Sequence, residues 1–448
     1  MAKLLAMEQT TAIRPGTIRP RHLLTVATVA IVVIGCLAVL SAADGASSGS
    51  AFAYFAKASV LGTAGLLLMV YLGRGGRKGN GGLAMAHRFS TILLGIGFVG
   101  VLFVMVPTPL TPEINGARQW ISLGPITIQP SEILKPALVL YLAASLARQP
   151  WRTESLHALR PILGVAVAGL GVVAAQDLGS ALVTGGIVMS MFFIAGVPGR
   201  MLGLLSGAAV AGAAMLTLIA PERVSRMTVF LHPFEDRFDA GFQITNGLMA
   251  IGQGGVFGSG IGESLQKHIM PEPQTDFILP VIMEEVGLLG ATVIMVLYVA
   301  IVLLGLRIAR STQDPYERLV AAGLSSIMLW QAALNIWVVL GIAPLTGVPL
   351  PLVSAGSTSQ LLILGAIGLL IDIDRRSATP TVALVVAEER PAPVRRERPV
   401  PAPVVEPVRG VPLPLVCAGS TCELLMLGAF VLLIDMDRRS DTRTVALV

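Results

Sequence analysis

Charge is scarce in this sequence. Only 13% of its 448 residues are Asp, Glu, Lys or Arg, against about 25% in an ordinary soluble domain, so a solvated globule is excluded. Cysteine is scarcer: Cys36 lies in the first apolar run, and Cys417 and Cys422 lie near the end. No disulfide framework therefore supports an external domain. The C-x4-C spacing of the last two, without a second pair or nearby histidines, argues against a metal site there. Aromatic residues make up 5%, and no aromatic-alternating strand pattern recurs, which excludes a barrel. The net charge of +5 comes from basic residues scattered in short loops rather than gathered on one face. That is a mark of membrane topology, not of nucleic-acid binding.

What is abundant is apolar sequence. Hydrophobic residues make up 54% of the chain and mean hydropathy is +0.77. Apolar runs fall at about 23–42, 53–73, 89–106, 131–147, 161–176, 180–197, 201–220, 278–306, 319–341 and 357–373, each near or somewhat under spanning length. The fold class is all-α, a polytopic membrane protein of about ten transmembrane helices. Loop charge supports that register, because Lys and Arg gather in alternate loops. Arg74, Arg77, Lys78 and Arg88 lie in the second, Arg148, Arg152 and Arg160 in the fourth, Arg200 in the sixth, and Arg307, Arg310 and Arg318 in the eighth. Arg375 and Arg376 follow the tenth run, so both termini are expected to be cytoplasmic, with residues 1–22 as an N-terminal tail. The long seventh loop, 221–277, is expected outside despite its charges, since long loops translocate regardless.

Beyond the membrane domain, 23–376, residues 377–410 are rich in Pro, Val, Glu and Arg and read as an extended or disordered cytoplasmic linker. Residues 411–448 repeat 348–385 at an offset of 63, as a tandem duplication would. Spanning would put Arg438, Arg439 and Arg443 outside, so this copy is expected on the inner face, entering partway, or poorly ordered.

Few ionisable residues lie near the apolar runs. Asp276, in MPEPQTDFILPVIMEEVGLLG, stands where a polar interval enters an apolar helix, a place that points to chemistry or transport. Glu284 and Glu285 follow in the first turns, where the helix dipole tolerates negative charge. All three are also open to a reading as solvated or capping acids, Asp276 taken alone the more so. In NGARQWISLGPITIQPSEILKPALVLYLA, Pro130 opens a helix and places Glu132 and Lys135 three apart on one face. They are either functional or a buried pair that only fixes packing. Arg118, an isolated external guanidinium beside Trp120, suits a phosphate-bearing ligand, or is a solvated loop arginine. Asp177 marks the junction of the fifth and sixth runs. The glycines between 241 and 268 are too many for an ordinary helix and point to a re-entrant or closely packed external segment. No strand precedes them and no P-loop Lys-Ser/Thr pair follows, so they are not a nucleotide loop. The uncharged GIAPLTGVPLPLVSAGSTSQ is tolerated at membrane depth where protein covers it or a polar cavity adjoins it. These segments are expected to converge with Asp276 on one outward-facing cavity.

Taken in order, NGARQWISLGPITIQPSEILKP, DLGSA, FQITNGLMAIGQGGVFGSGIGESLQK, PEPQTDFILPVIMEEVGLLG and NIWVVLGIAPLTGVPLPLVSAG resemble the SEDS family (shape, elongation, division and sporulation) over about residues 23–376. GVPLPLVSAG and ESLQK are most similar to its FtsW branch. The resemblance implies a peptidoglycan glycosyltransferase that polymerises lipid II, the undecaprenyl-linked disaccharide, outside the bacterial cytoplasmic membrane, at the division septum. It implies work alongside a class B penicillin-binding protein and other divisome proteins. Asp276 takes the place of the family's essential acid, as general base. Arg118 and Lys135, with Glu132 orienting the lysine, would meet the pyrophosphate, together with Gln129, Ser131, Gln243, Thr275 and Ser354, and with a divalent cation, Mg or Mn. The chain departs from the family's pattern at Gln176, Pro280, Met283 and Ser357. A lipid II flippase or a non-catalytic scaffold for the transpeptidase remain the alternatives, and the role of Asp276 separates them.

Overall fold

The computed structural model describes residues 19–44, 51–75, 81–113, 118–124, 126–148, 155–235, 241–355 and 358–378. Most of the N-terminal tail and of the linker, the duplicated copy with Cys417 and Cys422, and Ser357 lie outside the described residues.

Each of the ten apolar runs coincides with one helix: α1 (Pro20–Ala43), α2 (Ala51–Leu72), α3 (Gly82–Val104), α4 (Pro130–Arg148), α5 (Leu156–Gln176), α6 (Leu178–Ile194), α7 (Gly199–Ile219), α10 (Ile278–Ser311), α11 (Pro315–Val339) and α12 (Thr358–Ala378). Among the described residues, seven helices are long and apolar enough to cross a membrane. Of the other three, α6 is shorter, and α4 and α12 carry charges that lower their hydropathy. Local signals set the ends. Pro130 opens α4 with Glu132 in its first turn and Arg148 in its last, matching the helix dipole at both ends. The Ser155 hydroxyl caps α5, and Asp314 accepts the Tyr316 and Glu317 amides to cap α11.

The structure corrects two loops. Residues 107–130 contain a short antiparallel hairpin, β1 (Ile121–Leu123) with β2 (Ile126–Ile128). The long interval 221–277 contains α8 (Pro221–Leu231), α9 (Phe242–Gly254) and one 3-10 turn, Gln266–His268. The glycine count therefore misled for the first half of that stretch: α9 forms despite Gly247, Gly252 and Gly254. The close packing foreseen there is real, since a Cβ at Gly254 would clash with the Met283 carbonyl.

Helix α11 is the centre of the bundle. Ninety-four per cent of its most apolar window is buried, against 6% for α7 at the periphery. Around it pack α4, α6, α10 and α12, with α1 and α2 behind α10 and α12.

Two interruptions in the helical backbone shape the Asp276 end. Helix α10 breaks at Gly287, where φ is 70°. The turn 255–260 repairs the gap: Ser259 and Gly260 amides donate to the Glu284 and Glu285 carbonyls, and Leu288 and Leu289 amides donate to the Gly255 and Val256 carbonyls. Two carbonyls and two amides freed by the break thus find partners, as a membrane demands. The second interruption is the loop 341–355, which descends beside α1 until Leu352 and Val353 meet Gly35. Its carbonyls and amides are taken up by Tyr298, which donates to Pro351, by Asn335, which donates to Val348, and by the Ser354 hydroxyl, which accepts the Leu350 amide.

Gly287→Ala should lower the melting temperature of the detergent-purified protein by the equivalent of about 2 kcal/mol or more, since it adds left-handed strain and a clash with Gly258. Gly203→Ala, on an open face of α7, should instead be neutral or stabilising by about 0.5–1 kcal/mol.

Candidate active site

Asp276 is held by three segments. Its Oδ1 accepts the Thr275 hydroxyl at 3.0 Å and faces the Gln243 amide of α9 at 3.5 Å. Its carbonyl and that of Val348 both accept from Asn335 of α11 at 2.8 Å. Gly347, with φ of 63°, brings backbone to the other carboxylate oxygen, where a Cβ would lie at 3.9 Å. The Ala355 amide donates to Gln274 at 2.9 Å and ties the loop to the same segment. Half-buried by these neighbours, the carboxyl is pushed above its usual range chiefly by desolvation. The Thr275 hydrogen bond and Arg226 pull it back, and Glu272 pushes it further up.

Beside it lies a cleft of about 600 Å³. The ends of α3 and α7, the α5–α6 junction, α8 and Pro344–Thr346 wall it, and Thr346 is the neighbour of Gly347. Three guanidinium groups line it: Arg118, Arg223 and Arg226. Arg118 is not isolated, as its sequence setting implied, because Glu113 pairs with it at 3.0 Å in an exposed position. Arg223 donates to the Ala174 and Ala175 carbonyls at 3.1 Å, satisfying the open end of α5. Asp177 does the converse for α6, accepting the Gly179 and Ser180 amides at 3.0 and 2.7 Å. Gln176 sits between them and donates to the Val101 carbonyl.

A family model for the cell cycle proteins FtsW, RodA and SpoVE matches residues 21–379. The chain belongs to the FtsW/RodA/SpoVE family. It is 38% identical to stage V sporulation protein E of Bacillus subtilis over 292 residues, which is 64% of this chain and 80% of that protein. It is 37% identical to the probable peptidoglycan glycosyltransferase FtsW of Legionella pneumophila, over 64% of this chain and 75% of that one. Its fold resembles a chain of a peptidoglycan synthase complex, with a TM-score of 0.65 and 26% identity over 80% of this chain and 98% of the other. It also resembles the rod shape determining protein RodA of Thermus thermophilus, with a TM-score of 0.57 and 27% identity over 79% and 96%.

Within this FtsW/RodA/SpoVE fold the other expected residues divide. Gln129 adjoins the cleft: its side chain donates to Gln119 at 3.2 Å and its amide to Thr358 at 3.3 Å. Ser131 is buried in the first turn of α4. Ser354 serves its own loop, as described above. Glu132 and Lys135 do not join the arginines. They form a 2.5 Å ion pair, with side chains 5% and 1% exposed, and Glu132 also accepts from Ser359 at 3.0 Å. Together they line a separate small cavity walled by Ile301, Leu324, Met328 and Ile363. The pair is buried and self-compensated, so the expected approach of Lys135 to a pyrophosphate does not follow from this geometry.

Glu284 and Glu285 are not solvated dipole partners. Both are buried. Glu284 accepts the Leu265 and Gln266 amides and the Ser264 hydroxyl, fixing the 3-10 turn. Glu285 accepts from Ser41 of α1 at 2.6 Å and from buried Lys267 at 3.4 Å. Pro280 lies in the first turn of α10, where proline is tolerated. Met283 supplies the backbone against which Gly254 packs.

Sequence reasoning missed Arg223 and Arg226 as site residues. The signal was present: Pro221 is a helix opener, and arginines three apart after it share one face. Asn335, Gln119 and Thr346 carried no such mark. As for a divalent cation, among the described residues no three His, Cys, Asp or Glu side chains cluster to hold a metal ion, so the side chains present do not fit a protein-held one.

Removing one member of the buried pair, as in Lys135→Met, should destabilise the protein by about 3–5 kcal/mol in thermal unfolding. Glu132→Gln combined with Lys135→Met should recover much of that loss, because no uncompensated charge then remains inside.

Proposed function

We propose that this chain is a peptidoglycan glycosyltransferase that polymerises lipid II at the outer face of the bacterial cytoplasmic membrane, with Asp276 as general base. The observation that carries this reading is a half-buried carboxylate of raised pKa held beside a cleft lined by three guanidinium groups. The names borne by the relatives support the reaction class, and the likeness to a chain of a peptidoglycan synthase complex supports a transpeptidase partner of the class B type. Ten spans with both termini inside, and a place at the division septum among other divisome proteins, belong to the same proposal.

Helix lengths support the position at the bilayer edge. From Arg21 to Ser41 in α1 is about 30 Å of helix, the thickness of the hydrocarbon core. Ser41 bonds Glu285, next to the α10 break. From Arg307 back to Leu288 is about the same length, and from Arg318 to Asn335, which clamps Asp276, about 26 Å. These lengths support a place for the carboxylate at the level of the lipid headgroups.

In the reaction, Asp276 takes the proton of an acceptor sugar hydroxyl while that oxygen attacks the anomeric carbon of the other lipid-linked chain. The bond to undecaprenyl pyrophosphate breaks, the leaving group keeps the electron pair, and Arg118 in the cleft stabilises the charge it gains. A raised pKa makes the carboxylate a stronger base at neutral pH than an ordinary one.

Glycan polymerisation from lipid II by the purified protein with its penicillin-binding protein should fall by about 10²–10⁴-fold in Asp276→Asn. Equal polymer from both would remove Asp276 from the base role, and none from either would turn attention to lipid II translocation. The acid limb of kcat/KM should lie above the usual carboxylate range. The sign for stability is opposite. Ionising Asp276 costs more folded than unfolded, so its penalty is absent at pH below the usual carboxylate value and complete above the raised one. Asp276→Asn should therefore melt no lower than the parent at neutral pH.

A further inference from the structure

We infer that the groove holding α12 admits only the first of the two tandem copies, and that the changes at Gly368, Ser359 and Gln360 exclude residues 411–448 from it. The inference concerns which segment completes the membrane domain, and it holds whatever reaction that domain performs.

The copy is a real rival for this groove, because it belongs to the same chain and repeats the residues that fasten the inner half of α12. Asp372 accepts the Leu83 amide at 2.9 Å and pairs with Arg376 at 3.1 Å, and Arg375 donates to the Arg74 carbonyl at 3.1 Å. Asp435, Arg439 and Arg438 stand at the matching positions of the copy. The apolar knobs are repeated as well. Leu364 and Ile371 fill the space that Cβ atoms at Gly65 and Gly73, in and just after α2, would take, and the copy offers Leu427 and Ile434.

Nine of the 38 aligned positions differ, and the change at Gly368 bears on the backbone itself. A Cβ there would stand 2.7 Å from the Met69 carbonyl oxygen and 2.9 Å from the Met69 Cα, with the Leu72 Cβ at 3.1 Å. The copy has Val431. No rotamer relieves that clash, because the offending atom is Cβ, so the two helices would have to separate at the place where a small residue lets them approach.

Other changes remove polar support. Ser359 donates to Glu132 at 3.0 Å, where the copy has Cys422, a weaker donor. Gln360 is buried, with its amide nitrogen 3.3 Å from where a Gly62 Cβ would be. Glu423 would bring a carboxylate into that buried place. Ser354 accepts the Leu350 amide at 2.8 Å, and Cys417 is a poorer acceptor. Ile367, buried in the wall beside the Glu132–Lys135 pair, is matched by Phe430, whose ring would overfill the wall. By contrast Ile363 and Ile373 are matched by Met426 and Met436, swaps of similar volume that a core tolerates.

The test uses the full-length detergent-purified protein with Cys36, Cys417 and Cys422 replaced by alanine. Leu68 of α2 reaches to 3.4 Å from where a Cβ at Gly365 would be, and Gly428 is the matching position of the copy. Leu68→Cys paired with Gly365→Cys should form an intramolecular disulfide with a lipid-soluble oxidant, and Leu68→Cys paired with Gly428→Cys at least about tenfold less of it. Comparable yields from the two pairs, or no bond in the first, would overturn the proposal. With Gly368→Val in α12 and Val431→Gly and Glu423→Gln in the copy, the bond between positions 68 and 428 should rise several-fold. A simple preference for the first segment along the chain would leave that yield unchanged, and this result would overturn the assignment to these residues. In the parent, Gly368→Val should lower the melting temperature by about 5 °C or more, and Ile373→Met by less than about 2 °C. Equally small shifts from both would remove Gly368 from its role.

Discussion

Within a bilayer no water is at hand to satisfy a peptide group, so wherever this chain leaves the helix another segment must supply the bond. That constraint organises the end of the molecule that carries Asp276. The break at Gly287 is tolerated because 255–260 lays its amides and carbonyls into the gap, and the loop 341–355 is tolerated because Tyr298, Asn335 and Ser354 receive it. Asp276 stands beside the second of these repairs. Asn335 holds its carbonyl together with that of Val348, so the carboxylate is fixed by the hydrogen bonds that make the loop possible.

The charges inside the fold obey a related rule, and the rule sorts them. Glu132 with Lys135, and Glu285 with Lys267, are buried and mutually compensated. Such pairs hold elements in register, here α4 against α12 through Ser359 and α10 against α1 through Ser41, and leave no charge over for a ligand. The cleft is different. Its guanidiniums outnumber its single carboxylate, which is already used on helix amides. Positive potential is therefore left facing open space, near a carboxyl that burial pushes upward. Uncompensated charge beside a perturbed acid is what acid–base chemistry on an anionic substrate requires.

Much of the fold could be read from the chain because hydropathy and loop charge are local quantities. Ten runs gave ten helices, and Pro130, Ser155, Asp177 and Asp314 marked starts that the backbone uses. The family was legible in the order of its motifs, and Asp276 in its position between a polar interval and an apolar helix. Where local reasoning failed, a distant neighbour decided. Glycine argued against an ordinary helix in this stretch, yet α9 forms, with Gly247 packed on Phe277 and Gly254 on the backbone at Met283. Arg118 looked isolated because Glu113 carries no mark of pairing five residues away.

The sequence by itself therefore determined the solvent of this protein, its helices, its family and the acid on which its chemistry is read. The solvent and the helices follow from composition and spacing along the chain, the family and the role read on the acid from the resemblance of its ordered motifs. Only the tertiary structure decided which charges are spent and which are free. That depends on what lies across a helix interface, tens or hundreds of residues away, where Ser41 finds Glu285, Ser359 finds Glu132, and Arg223 finds the end of α5. Compensation is a property of three-dimensional neighbours, and one strand of sequence does not carry it.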